Sequence, residues 1–286
     1  MTYYSPLRYP GGKTKIVPFI RKLIAENDLV GGTYVEPYAG GAGAALSLLF
    51  DGVVQNIIIN DIDSSIYAFW YSVLNKTEEF CSMIKKLPVT VDEWKRQKNI
   101  QSAKTDDVLK LGFSTFFLNR TNISGILNGG PIGGIAQNGK WKIDARYNKS
   151  DLIKRIKRIE DFKDKIKLYN IDAIELIENL SDSLPSKTLI YFDPPYYIKG
   201  ENLYMNHYDQ DDHAKISEKM KNITNHKWII TYDNVNAISK LYRLYRKRSF
   251  KLNYTAGKTT KGIELMIFSN NMNIENMQNI PICAHT

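Results

Sequence analysis

The chain has 286 residues, 43% of them hydrophobic and 24% charged, and carries a formal net charge of +9. That composition suits a globular protein with room for one sizeable domain plus an insertion, and its apolar runs, such as Ala44 to Phe50, fall far short of the ~20 residues a membrane helix needs. Cys81 and Cys283 share no motif, so no zinc site or disulfide framework is expected; with no basic, apolar leader at the N-terminus, the cytoplasm is the expected setting.

The first third alternates helix and strand signals. Lys13 to Asn27 places Ile16, Phe19, Ile20, Leu23 and Ile24 at helical spacing. Thr33 to Glu36 reads as a short strand ending at Pro37 and a glycine-rich turn. Gly43 to Phe50 reads as a helix, and Asn56 to Asn60 as a buried strand. Asp63 or Ser64 can cap a helix with the stripe Ile66, Phe69, Trp70, Val73 and Leu74. This order argues for a parallel sheet covered by helices.

The rhythm breaks between Lys76 and Arg158, where two helix-like pieces precede a Gly/Asn-rich segment from Asn119 to Gly134. Asn138-Gly139, flanked by Ile135, Trp141 and Ile143, predicts a two-residue hairpin turn. An amphipathic helix follows, with Leu152, Ile156 and Ile159 on one face and Lys154, Arg155, Lys157 and Arg158 on the other. Lys76 to Lys167 holds 20 Lys+Arg against 11 Asp+Glu, an excess equal to that of the whole chain. A basic insertion on a neutral frame suits a polyanion, although a solvated lysine-rich surface has the same composition.

The α/β rhythm then returns, with a strand at Ile166 to Tyr169, a helix at Ala173 to Leu180 and a strand at Thr188 to Phe192. A helix at His213 to Ile223 and a strand at Trp228 to Tyr232 follow. Arg248 to Tyr254 and Ile263 to Phe268 form a candidate antiparallel pair, before a polar tail from Asn270. The expected division is a catalytic domain over 1–75 and 159–270, an inserted recognition domain over 76–158, and a tail over 271–286.

Ligands of an open parallel sheet bind beyond the carboxyl ends of its strands. The short polar motifs fall there: Glu36-Pro37 with Gly40, Gly41 and Gly43, then Asp61, Asp172, and Asp193-Pro194-Pro195-Tyr196. The glycine turn is not a dinucleotide fingerprint, but with Asp61 about 20 residues on it suits an adenosine cofactor; a tight turn with a capping aspartate is the simpler alternative. Consecutive prolines hold a stiff, extended turn. The Asp193 carboxylate and Pro194 carbonyl can then accept both hydrogens of one amino group, aiming its lone pair at an electrophilic methyl, while Tyr196 offers a face for an extruded base.

These motifs resemble the Dam-like DNA adenine methylases, in the class that runs cofactor region, recognition insertion, catalytic region. The resemblance spans Pro6 to about Asn270 and rests on Leu7 to Lys13, Val35 to Tyr38, Asn60 to Asp63, Asn119-Arg120 through Ser124-Gly125, and Asp193 to Tyr196. It implies a Rossmann-like S-adenosylmethionine-dependent methyltransferase sheet with an inserted target-recognition domain. It also implies transfer of methyl to N6 of a flipped adenine in double-stranded DNA, with no metal and no obligatory partner nuclease. By the resemblance Tyr9, Lys13, Asp61, Asp172 and Asp193 touch the cofactor and Ile171 lends its backbone, with Glu36 and Gly40 from the neighbouring turn. Asp193, Pro194 and Tyr196 would hold the adenine. The segment after Gly125 departs from a typical GATC reader, so the target sequence stays open. Asn122, Ser124, Asn128, Gln137 and Lys140 are the candidate base readers, with Arg120 bracing the loop or binding phosphate. The alternatives are a nucleic-acid-binding module on a degenerate methyltransferase fold, and methylation of another amino group, of RNA adenine or at cytosine N4.

Overall fold

The computed structural model describes residues 4–8, 13–103, 105–197, 210–254 and 260–277. Its centre is a seven-stranded sheet of β1 (Thr33–Glu36), β2 (Asn56–Asn60), β3 (Ile166–Tyr169), β4 (Thr188–Phe192), β5 (Lys227–Asp233), β6 (Arg246–Tyr254) and β7 (Thr260–Phe268), in the order β3-β2-β1-β4-β5-β7-β6. The first five strands are parallel, and β7 runs antiparallel between β5 and β6. The central strands β1 and β4 are buried along their whole length, as the middle of a parallel sheet covered on both faces requires.

Two apolar layers follow from the pleat. Tyr34, Ile57, Ile59, Leu189, Tyr191 and Ile229 face one side. There they meet α1 (Val17–Glu26), α2 (Gly43–Phe50) and α3 (Ser64–Asn75). Val35, Ile58, Ile190, Phe192, Trp228 and Ile230 face the other. That side is covered by helices at Ala173–Leu180, Gln210–Asn222 and Asn236–Leu241, labelled α8, α9 and α10 below. The chain leaves β1 toward β2 and β3 and then returns to β4 on β1's other side, so the order reverses between β1 and β4. That reversal opens a crevice at their carboxyl ends.

The stretch between α3 and β3 forms α4 (Thr77–Lys86), α5 (Val91–Ala103), α6 (Val108–Thr121) and α7 (Lys149–Glu160). Three helices thus precede the loop where the apolar pattern suggests two. The buried positions of α5 are Glu93, Trp94 and Gln97, two of them polar, so a search for apolar stripes passes over it. α6 is buried on nearly every face from Leu111 to Asn119. It packs on α3, where Phe69 and Phe116 stack with ring centroids 6.1 Å apart. The inserted helices therefore share the apolar layer of α1 to α3.

The expected hairpin around Asn138-Gly139 does not form. Residues 132–147 make a chain of turns with no strand. Gln137 takes a positive φ of 51° and turns its side chain inward. Its Nε2 donates to the Ile132 and Gly134 carbonyls, and its Oε1 accepts from the Ile143 N–H at 2.8 Å. One amide thus does the work of a strand ladder, which a lone two-stranded ribbon would hold only marginally.

Candidate active site

Asp193 to Tyr196 follow β4 directly, at the switch point. Pro194 and Pro195 have no N–H to donate, so the segment is tied down from outside. The Asp193 Oδ1 accepts from the Thr231 hydroxyl on β5 at 2.8 Å, and Thr231 Oγ1 lies 3.0 Å from the Tyr191 hydroxyl on β4. The Tyr196 ring is buried and its hydroxyl donates to Glu264 Oε1 on β7 at 2.7 Å. The Tyr197 N–H donates to Asp233 Oδ1 at 2.9 Å. None of these partners belongs to a motif, and sequence reasoning missed all of them.

Across the crevice, Glu36 ends β1 and is buried, its Oε1 accepting from the Ala45 N–H of α2 at 3.2 Å. Burial, with the Asp193 charge adding to it, raises its pKa to about 8. The chain then turns through Gly40 and Ala42, both at positive φ, 46° and 45°. The turn is held from two sides: the Gly40 N–H donates to Asp61 Oδ2, and the Gly40 carbonyl accepts from Trp70 Nε1, both at 2.9 Å. Asp61 also accepts the Asp63 N–H, and burial raises its pKa to about 7, with the Asp63 charge contributing. Asp61 therefore joins the end of β2 to the glycine turn.

Asn60 is a further organiser. Fully buried, it donates from Nδ2 to the Pro37 and Ile171 carbonyls and accepts the Ile171 N–H, tying the ends of β1, β2 and β3 together. The signal was present as a polar residue ending the run Asn-Ile-Ile-Ile-Asn. Ile171 thus has both backbone groups engaged by Asn60. Asp172 caps α8 by accepting the Ile174 and Glu175 N–H groups. Lys13 opens a 3-10 turn that leads into α1, and Tyr9 lies outside the described residues.

The candidate readers separate into two groups. Asn122 is fully buried: its Oδ1 accepts from Trp94 Nε1 at 2.6 Å, and its Nδ2 donates to the Ile126 and Leu127 carbonyls. With Gln137, it serves as scaffold for the loop. Ser124 is half-buried at a positive φ of 58°, while Asn128 and Lys140 are exposed. Arg120 braces the loop through Nε to the Arg146 carbonyl at 2.7 Å. Its pKa falls to about 10, through burial and then the neighbouring Arg8, Arg155 and Arg146 charges. The segment before Tyr9 docks on the same turn, Asn119 accepting the Arg8 N–H and donating to the Arg8 carbonyl.

No group of His, Cys, Asp or Glu among the described residues is placed to hold a metal ion. No described helix is long and apolar enough to cross a membrane.

Solved structures align with this chain at low identity. A SAM-dependent methyltransferase from Agrobacterium tumefaciens aligns over 88% of this chain and 60% of its own, at 10% identity and a TM-score of 0.42. This chain thus spans less than two thirds of that protein's length. The rRNA methyltransferase aviRa from Streptomyces viridochromogenes aligns over 92% and 87%, at 11% identity and a TM-score of 0.36. No curated protein matches the sequence. A family model matches residues 9–259, which hold β1 to β6, the glycine turn and the Asp-Pro-Pro-Tyr tetrad at the switch point: the chain belongs to the D12 class N6 adenine-specific DNA methyltransferases.

Proposed function

We propose that this chain transfers a methyl group from S-adenosylmethionine to N6 of an adenine in double-stranded DNA, with the target base turned out of the duplex into the crevice between β1 and β4. The observation that carries the reading is the Asp193 carboxylate held by Thr231 at the end of a buried strand. That bond fixes the carboxylate at the carboxyl end of β4, beside the crevice. Asp193 and the Pro194 carbonyl then receive the two amino hydrogens of the adenine, and the nitrogen lone pair is aimed for in-line displacement. Turning the base out is required because these atoms cannot be reached inside a duplex.

The residues opposite fit an adenosine cofactor. A turn at positive φ brings backbone close to a ligand, and Asp61 ends β2 where a carboxylate suits ribose hydroxyls. S-adenosylmethionine supplies the electrophilic methyl when bound; Asp61, the Gly40 turn, Glu36, Asp172 and the Lys13 region are the proposed contacts. The insertion 76–158 is the proposed DNA-reading part, acting in the cytoplasm. Within it Ser124, Asn128 and Lys140 remain candidate base contacts, joined by the exposed Trp141, over whose ring the Lys140 ammonium lies at 5.6 Å.

Asp193→Ala tests the assignment. Transfer of labelled methyl to unmethylated plasmid DNA should fall at least ~100-fold, since orientation of the amine is lost, while DNA affinity stays near that of the parent. Near-normal turnover in this variant would sink the reading.

A further inference from the structure

The tetrad is supported by two carboxylates from strands that carry no recognised motif. Asp233 ends β5 and Glu264 lies on β7, and the antiparallel register places them directly opposite each other. Glu264 is fully buried and binds the Tyr196 hydroxyl; Asp233 binds the next backbone N–H, that of Tyr197. Two carboxylates facing across a strand pair repel, and a buried one is costly unless hydrogen-bonded. An apolar pair would suit the sheet better at this register. What the carboxylates provide is acceptors, aimed at a segment in which Pro194 and Pro195 have no N–H to donate.

We propose that Asp233 and Glu264 are positioning residues for the transfer. Glu264 fixes the ring of Tyr196 through its hydroxyl, and Asp233 fixes the peptide that follows. Together they hold the ring and the Pro194 carbonyl in register with the Asp193 carboxylate, which Thr231 anchors on the same strand as Asp233. The antiparallel β7 has a catalytic consequence in this arrangement. It brings to the tetrad a side chain from 68 residues away in sequence. The inference rests on the adenine-transfer reading above.

The test uses the full chain, unmethylated plasmid DNA and labelled S-adenosylmethionine. Glu264→Ala should lower kcat by about tenfold to a hundredfold, the scale of a small misplacement of reacting groups, with KM for the cofactor little changed. Glu264→Gln, which keeps an acceptor oxygen, should recover most of that loss. Tyr196→Phe removes the same hydrogen bond from the other side, so the Tyr196→Phe, Glu264→Ala double variant should be no slower than the worse single. Asp233→Asn should lower kcat without the same coupling to Tyr196→Phe. Full kcat in Glu264→Ala, losses that multiply in the double variant, or a change confined to cofactor KM would overturn the proposal. If thermal melting shows Glu264→Ala unfolded, Glu264→Gln and Tyr196→Phe decide: full kcat in Tyr196→Phe overturns it, and a matching loss supports it. A parent enzyme that methylates no DNA would remove the adenine-transfer reading itself, whereas an active parent with full-rate variants removes only the positioning role.

Discussion

Glu36 sits where a charged carboxylate is expensive, buried at the end of β1 and facing the charge of Asp193. Its pKa, raised from 4.5 to about 8, means that the folded chain keeps a proton there which the unfolded chain releases. Below pH ~4.5 both states hold the proton and this contribution to stability is fully present. It is lost as pH climbs toward the folded value of about 8, at a rate of up to ~1.4 kcal/mol per pH unit. Glu36→Gln should therefore flatten the decline in stability between pH 5 and 8, while its amide oxygen can still accept from Ala45. Urea midpoints across that range provide the measurement. An unchanged slope would mean that Glu36 is ionised in the fold.

At the scale of elements, the insertion is fastened to the sheet by helix packing. Gly112 of α6 lies against α3 so closely that a Cβ there would meet the Ala68 carbonyl oxygen at 2.3 Å. Gly112→Ala should push the two helices apart and destabilise the protein by about 1–3 kcal/mol, the usual cost of overpacking. A thermal melt compared with that of the exposed-site control Lys110→Ala reads the effect, and an unchanged Tm would show that the helices can give. The elements that position the tetrad and the glycine turn were legible because short apolar runs closed by turn residues mark β2, β4 and β5 locally, and Pro37 with its glycines closes β1. The insertion was legible only in outline. Asn122 and Gln137 look like base readers in a glycine-rich segment, yet a loop without a ladder uses such amides to replace missing backbone partners. Glu264 was invisible for another reason: its place beside the tetrad depends on the antiparallel register of β7 against β5, which no local pattern encodes.

Over the whole molecule, the positive excess of the insertion is less available than its count suggests. The basic face of α7, whose composition alone suits a phosphate surface, is largely taken up by the protein. Lys157 pairs with Glu78 and Glu160, Arg155 pairs with Asp151 and donates to the Ser5 carbonyl, and Arg158 lies over the Tyr4 and Phe50 rings at 4.8 Å. Lys140, Lys142 and Arg146 stand more exposed, on the loop that follows α6 beside the exposed Trp141, although Lys142 donates to the Gln137 carbonyl and Lys140 lies over the Trp141 ring. If these side chains neutralise phosphates, removing the three charges should lower the slope of log K against log salt by about 0.9 for each phosphate left unneutralised, or ~2–3 in all. Charge reversal of Lys157 and Arg158 should instead cost stability by breaking ion pairs and ring packing, with the salt slope nearly preserved. Fluorescence anisotropy of a labelled duplex over a range of salt concentrations, paired with melting curves for each variant, separates the two effects. A slope that drops for the α7 variant and holds for the loop variant would place the DNA on the other face of the insertion.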